Sequence, residues 1–542
     1  MKLQKQQYCF RYHRLAGTIS ALALSGMAIT GQVSAAELLD NENLQIRWDN
    51  TVKYQAGFRT KSPSRYNLSN PNTNDGTGAF DKGDLITNRA DILSEFDLSL
   101  KDAAHSGLRV SAAGWYDNVY DRQHDRIDAA TYNQISVDND EFTRRAKEQA
   151  GRGVELLDAF IHSGFDLGDS YLSWRLGRHT LLWGESLFLA TNGISNGQAP
   201  NDGLKALSVP SSLAKELFLP VNQLSMALSL SDSVSVEGYY QLEYRPTRVP
   251  APGTYWSTFD GGFKGGETLV LAPGFAIPRG DEDKPEGAKG QWGVALKYRD
   301  YDNDMDYGLY YLRYNAKIPQ VYTRVSSAFI PQEYFFVYPE SIKLYGLSAS
   351  TKIGDANVAG EISFRDNQPL VSDGNQLVIV NDQPGNGHAN RLYAVGQTIH
   401  AQVSTIWILP RAPLWDQSQL TAELGGHHLY KVTENEERRD KDTVRTSVGM
   451  RTIFEPTWYQ AFPSVDVSTP LTLGYNFTGR SAVDPSFNTT GAAHGGDVGL
   501  SLNFKYANNL RGGVSYTHYL GDSQDNAYAD RDLVLFNLAY SF

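Results

Sequence analysis

Cysteine is almost missing from this 542-residue chain, and its single example, Cys9, stands close to the first residue. With no thiol after it, disulfides, zinc–thiolate centres and cysteine nucleophiles are excluded from the rest of the chain. Long apolar runs are missing too. Beyond the first thirty or so positions nothing approaches the ~18 consecutive apolar residues of a helical membrane span, and mean hydropathy is −0.41. Positive charge is also in short supply, with 49 Lys and Arg against 61 Asp and Glu. An acidic chain of this kind is a poor partner for nucleic acid. Charged residues of both signs make up only 20%, while Gly 49, Tyr 31, Phe 23 and Trp 9 are abundant. That mixture suits one large β structure better than several soluble domains.

The first 36 residues read as an export signal. Lys2, Lys5, Arg11 and Arg14 precede an apolar stretch from Leu15 to Ile29, and Val33-Ser34-Ala35 offers a small-residue cleavage site. Cleavage is expected after Ala35 or Ala36, removing Cys9 and leaving 37–542 as a single barrel.

The barrel is expected because long stretches alternate between apolar and polar residues, which sends successive side chains to opposite faces of a strand. Val498, Leu500, Leu502, Phe504 and Tyr506 share one face, opposite Asp497, Gly499, Ser501, Asn503 and Lys505. Val234, Val236, Gly238, Tyr240, Leu242 and Tyr244 form an outer set opposite Glu237, Gln241, Glu243 and Arg245. A soluble sandwich has the same period, so the connections have to decide. About eighteen candidate strands, with sixteen as the alternative, start near 44, 89, 106, 153, 170, 221, 232, 289, 304, 341, 356, 392, 419, 442, 464, 493, 508 and 528. Their connections alternate between long (61–88, 118–152, 181–220, 246–288, 316–340, 367–391, 431–441, 479–492, 521–527) and brief, as at Leu167-Gly168-Asp169 or Gly354-Asp355. A transmembrane antiparallel β-barrel with tight turns at one end and large loops at the other predicts that asymmetry, and a sandwich does not. Tyr and Trp near strand ends, among them Trp48, Trp115, Tyr116, Trp174, Trp407 and Trp458, fit an interfacial belt. The last strand places Val534, Phe536, Leu538, Tyr540 and the terminal Phe542 on one face.

Several segments carry a family likeness. Gly177-Arg178-His179, Trp183-Gly184-Glu185-Ser186, Asn192-Gly193-Ile194, the run Tyr338-Pro339-Glu340-Ser341-Ile342-Lys343-Leu344-Tyr345-Gly346-Leu347-Ser348 and Gly360-Glu361-Ile362-Ser363-Phe364-Arg365 resemble a group of proteobacterial outer-membrane proteins. So do Ile46-Arg47-Trp48-Asp49-Asn50-Thr51-Val52-Lys53-Tyr54 and Asn88-Arg89. The group is the domain-of-unknown-function family numbered thirteen hundred and two, and the likeness runs over essentially the whole chain after the signal. It implies an exported outer-membrane barrel of a Gram-negative bacterium, set among outer-membrane lipids. The terminal Phe542 resembles the signal read by the barrel assembly machinery. The resemblance also implies a periplasmic lipoprotein-like partner and an inner-membrane transporter of the resistance-nodulation-division type, handling lipid-like or hydrophobic compounds. It supplies no catalytic residues and no cofactor.

Residues 185–220 lack strand alternation yet carry Leu187, Phe188, Leu189, Ile194, Leu204, Leu207, Val209, Leu213, Leu217, Phe218 and Leu219. So apolar a connection is expected to fold inward, either as a plug that presents an apolar surface to a ligand or as a loop packed on the inner wall for stability, with a short helix at about 211–218. Phe188, Ile194, Leu213, Leu217 and Phe218, together with Phe335, Phe336 and Tyr338 from an aromatic outer loop, are the candidate substrate path. Such apolar loops either bind a ligand or bury one another as a lid. Arg178, His179 and Glu185 bracket the start of the plug and are expected to pin it. By parity the wall presents Glu95, Asp97, Glu237, Glu243 and Glu361 against Arg109, Arg175, Arg245, Lys297, Arg299 and Arg365. This balanced set is expected mostly to pair across strands rather than to form a one-sign selectivity ring. The charged loop at 118–152 is expected to stay hydrated.

Enzymatic signals are weak. His427-His428 would point to opposite faces, Asp300, Asp302, Asp304 and Asp306 lack the Gly and distal Glu of a calcium loop, and no Gly-x-Ser-x-Gly elbow is present. The sequence therefore reads as a non-enzymatic outer-membrane channel or transporter for lipid-like or hydrophobic small molecules. The alternatives are a diffusion porin for small polar solutes or aromatic acids and a non-conducting surface barrel; a hydrolase would need Ser and His to converge.

Overall fold

A computed structural model describes residues 36–102, 104–208, 217–285, 290–507 and 509–542. The period-two segments become strands Leu44–Arg59, Leu85–Leu100, Gly107–Asp117, Arg152–Leu167, Ser170–His179, Val221–Ser229, Val234–Gln241, Trp292–Asp300, Met305–Tyr314, Ile342–Ile353, Ala356–Pro369, Val395–Leu409, Gln417–Glu434 and Thr446–Phe462. They continue in Val465–Ser468 with Leu471–Asn476, then Gly496–Tyr506, Leu510–Leu520 and Leu533–Ser541. Each pairs antiparallel with the next, and the first meets the last from Thr51↔Ser541 to Arg59↔Leu533. The result is a closed barrel of 18 strands. Asn50 and Phe542 seal the seam with reciprocal backbone hydrogen bonds of 2.8 and 2.9 Å. The one split strand breaks at Thr469-Pro470, where proline has no N–H to give to the ladder.

Strand starts fall within a few residues of those the sequence predicts. The final strand differs most, beginning at Leu533 instead of near 528, because Tyr528, Ala529 and Asp530 to Asp532 are buried loop residues. Connections at one end are short, such as 168–169, 354–355 and 463–464, and nine at the other end are long. Alternation decides what faces where: Leu347, Ile362, Val403, Leu424 and Leu500 are exposed on the outside, while Ser348, Glu361, Gln402, Glu423 and Asp497 are buried within. Closure satisfies every ladder, and the outward apolar band matches what a hydrocarbon layer requires. Among the described residues no helix is long and apolar enough to cross a membrane. Trp48, Tyr116, Trp407 and Tyr540 are exposed on the outer face. Trp115, expected in that belt, faces the lumen under the Arg89 guanidinium, 5.3 Å from its ring, because its neighbour Tyr116 takes the outward place.

The long loops form a cap with its own structure. Gln320–Val325, Pro331–Val337 and Val378–Val380 make a small sheet, and Thr268–Ala272 pairs with Phe275–Pro278. Phe335 packs with Tyr322, Leu377, Ile379 and Tyr393, and Phe336 and Tyr338 pack with Ile277 and Tyr334. The aromatic loops thus bury one another, apart from two exposed tips, one at Phe329 and Ile330 and one at Leu271 and Phe275. The loop at 118–152 departs from its expected hydration. Arg126 pairs with Asp140 and Arg145 with Glu148 at its surface, while Val119, Tyr120, Ile127 and Phe142 join Phe80, Tyr255, Trp256 and Leu533 in the largest apolar cluster. Arg59, fully buried, ties this cluster to the barrel rim: it pairs with Asp530 at 3.0 Å and donates to the Thr77 and Phe80 carbonyls.

Within the cap, two acids lie together out of water. Asp260 accepts from the Asp75 backbone N–H at 3.0 Å, and Asp75 accepts from Gln134 Nε2 at 3.2 Å. Burial raises both carboxyls, Asp260 to about 7, and the neighbouring Asp260 adds to the rise at Asp75. A carboxyl whose folded pKa is raised contributes stability that is full below its unfolded value of 3.8 and is lost as pH rises through the folded value. The cap should therefore loosen as pH rises from about 4 to 7, read as faster protease cleavage in the 60–84 and 242–291 loops. Asp75→Asn should flatten that dependence.

Candidate functional site

The connection after His179, described over 180–208 and 217–220, leaves the wall, and its first part runs along inward-facing residues of strands far away in sequence. Its irregular backbone has N–H groups that no ladder can take, and two wall carboxylates take them. Glu361 accepts from the N–H of Glu185 at 2.6 Å and of Ile194 at 2.8 Å. Glu423 accepts from Leu187, Phe188 and Leu189 at 3.1, 2.5 and 2.7 Å. Gly184, at φ +90°, lets the Glu361 carboxylate approach where a Cβ would collide with it. Arg365 donates to the carbonyls of Thr191, Asn192 and Gly193. Asn192 is held from all sides by Gln402, the Ala401 and Gly426 carbonyls, His400 and His427. Trp183, buried among Ile194, Tyr239, Tyr310 and Leu312, donates its indole N–H to Glu237 at 2.7 Å.

The expected wall charges divide into two groups. Arg109 pairs with Glu95, Asp97 and Asp158, Lys297 with Glu237, and Arg299 with Asp304 and Asp306. Arg175 stands over the Phe160 ring at 5.9 Å. Glu361 and Arg365 instead serve the 180–220 connection. Glu243 and Arg245 are not on the wall, because their strand ends at Gln241 where the chain turns over that connection. Arg245 and Arg248 both grip Glu155, and Arg248 also holds Asp202 at 2.7 Å. Arg178 donates to the Leu156 carbonyl and pairs with Glu243 at 3.5 Å, and His179 bonds Ser225 Oγ at 2.8 Å. Both sets of contacts run to the rim of the wall. Glu185 contributes its backbone N–H to the connection's anchorage, and burial pushes its carboxyl up. His427 turns inward and His428 outward, where it meets Thr446. Asp300 caps the turn N–H groups of Asp302 and Asn303.

Between this connection, the wall and the outer loops lies a cavity of about 370 Å³. Its lining is largely apolar, with Phe188, Leu189, Leu207, Leu217, Val249, Ile318, Pro319, Val321, Ile342, Leu370, Leu377 and Val483. Of the expected substrate path, Phe188 and Leu217 line it. Ile194 is fully buried against Leu312 and Leu344, and Phe218 packs with Ala190 and Ala199. Phe335, Phe336 and Tyr338 are committed to the cap. Leu213 and residues 211–216 of the helix expected at about 211–218 lie outside the described residues, as does the export signal up to Ala35. Among the described residues its ionisable groups are Lys317, Arg365, His400, Asp484, Tyr314 and Tyr528. Burial lowers the Lys317 ammonium to about 7. A second cavity, of about 660 Å³, has a mixed lining, with Lys53, Gln55, Ser501, Asn503, Arg511 and Asn537 beside Ile453, Val467, Phe504 and Leu535.

Glu423 and Lys317 were not singled out from sequence. Parity does place Glu423 inward, between Thr421 and His427, but nothing local pairs it with residues 187–189. Lys317 sits in a loop, where a lysine ordinarily signals only solvent.

A family model described as "Protein of unknown function (DUF1302)" matches residues 16–542. No curated protein matches the chain. Among solved structures, Pseudomonas aeruginosa OccK2 (OpdF) in complex with glucuronate is 9% identical, with 92% of this chain and 98% of that chain covered at a TM-score of 0.40. Acinetobacter baumannii OccAB4 is 9% identical, covering 94% and 100% at 0.42. The outer membrane channel DcaP of Acinetobacter baumannii is 9% identical, covering 93% and 99% at 0.36.

The anchoring has a direct consequence. Removing Glu423 or Glu361 strands three or two backbone N–H groups, each worth about 1–3 kcal/mol when buried without a partner. Glu361→Ala with Glu423→Ala should leave the barrel assembled and make Lys205 a rapid trypsin site. Unchanged cleavage at Lys205 would show that other contacts hold the connection.

Proposed function

The chain belongs to the family of proteins of unknown function DUF1302, and we propose that it works as an outer-membrane channel for lipid-like or hydrophobic small molecules. The observation that carries this reading is the apolar cavity of about 370 Å³ inside the barrel, roofed by the cap and floored by the 180–220 connection. Ligand sites of ~300–1,000 Å³ with apolar walls and few polar groups are the usual form for small organic molecules. In this reading the connection is a plug: it closes the wide lumen that 18 strands enclose and presents Phe188 and Leu217 to the ligand. Its attachment combines the wall carboxylates with an apolar contact at Trp183 and Ile194, and none of these contacts belongs to the strand ladders, so it can shift without unfolding the barrel. A periplasmic partner that receives the ligand is part of the proposal. The mixed cavity that Lys53, Asn503 and Arg511 help to line favours a second reading, a diffusion path for small polar solutes.

Planar-bilayer conductance separates the two. The intact protein should be nearly silent, and a variant lacking 187–217 should open large, steady channels. Steady conductance by the intact protein, unchanged on deletion, would favour the polar-solute path and overturn the plug.

A further inference from the structure

Lys317 occupies an unusual place for a loop lysine. It follows strand Met305–Tyr314 by three residues, it is only 8% exposed, and it lines the apolar cavity. Its Nζ reaches two carbonyls, of Gly197 at 3.4 Å and Asn315 at 3.5 Å, both at the far limit of a hydrogen bond. It also stands 5.4 Å from the Tyr314 ring centroid. Among the described residues no carboxylate forms an ion pair with it, whereas most other buried or half-buried cations here have one. The other cation of the cavity, Arg365, gives hydrogen bonds from its terminal nitrogens to three backbone carbonyls, leaves its buried Nε without a partner, and likewise has no ion pair among the described residues. The one acid in the lining, Asp484, accepts from Ser486 through Oδ1. Among the described residues the lining therefore holds two cations and one acid within largely apolar walls.

A buried ammonium without a counter-ion is costly, and an anion that reaches it recovers that cost. A neutral apolar molecule would fill the space and recover nothing. Building on the channel reading, we propose that the cavity selects amphiphilic monoanions, with Lys317 meeting a carboxylate-like head while the apolar walls take the body. The ligand class is thus narrowed from hydrophobic compounds to apolar acids.

The test uses the full-length barrel in lipid nanodiscs, titrated calorimetrically with decanoate and with decanol against empty nanodiscs. The intact protein should prefer decanoate by about tenfold or more, the scale of one buried charge pair. Lys317→Met should remove that preference and keep decanol binding, which also shows that the variant is folded. Lys317→Arg should retain it. An undiminished preference in Lys317→Met, or equal binding of both probes by the intact protein, overturns the head-group assignment and leaves the channel reading standing. Binding of neither probe by the intact protein overturns both.

Discussion

The structure depends on how an irregular stretch of backbone survives inside a membrane-sized barrel. At that depth each N–H group without an acceptor is expensive, so non-helical chain is tolerated only where protein satisfies it. Here the acceptors are the carboxylates of Glu361 and Glu423, which between them take five N–H groups from residues 185–194. Arg365 supplies the complementary service to three carbonyls. Remove these groups and the connection keeps only its apolar contacts through Trp183 and Ile194 and the hydrogen bonds of Asn192, with its own backbone left unpaired.

The unequal height of the wall explains the rest of the arrangement. Strands from Ser170–His179 to Met305–Tyr314 have 8–10 residues, while Gln417–Glu434 has 18. Above the low side the wall is continued by loop chain, and Arg245 and Arg248 fasten it to Glu155 of a tall strand and to Asp202 of the connection. The cap then closes over the whole mouth through aromatic packing and the buried Arg59–Asp530 pair. Along the wall, clusters such as Arg109 with Glu95, Asp97 and Asp158 leave acid in excess. In the apolar cavity the excess has the other sign, around Lys317 and Arg365, which have no ion pair among the described residues.

How much could be read in advance follows from the range of each interaction. Strand number, loop alternation and inside–outside parity rest on neighbours two residues apart, and they were legible for segments such as Val498–Tyr506. Parity failed where a strand stopped early, as at Gln241, which moved Glu243 and Arg245 from wall to loop. It also failed at the Trp115-Tyr116 pair, where aromatic composition suggested two belt residues and alternation permits one. The apolar outer loops were legible as apolar, but their burial in a common cap depends on loops widely separated in sequence meeting at one mouth.

The amino-acid sequence by itself determined the barrel, its two faces and its two unlike ends, because period-two alternation and turn length are local properties. Only the tertiary structure decided that Glu361 meets Glu185, 176 positions away, that Glu423 meets Leu187, 236 positions away, and that Lys317 faces an apolar cavity without an ion-pair partner among the described residues. Those meetings arise from closure of the ring, which sets distant inward-facing residues against one folded-in connection, and no local pattern encodes which of them will touch.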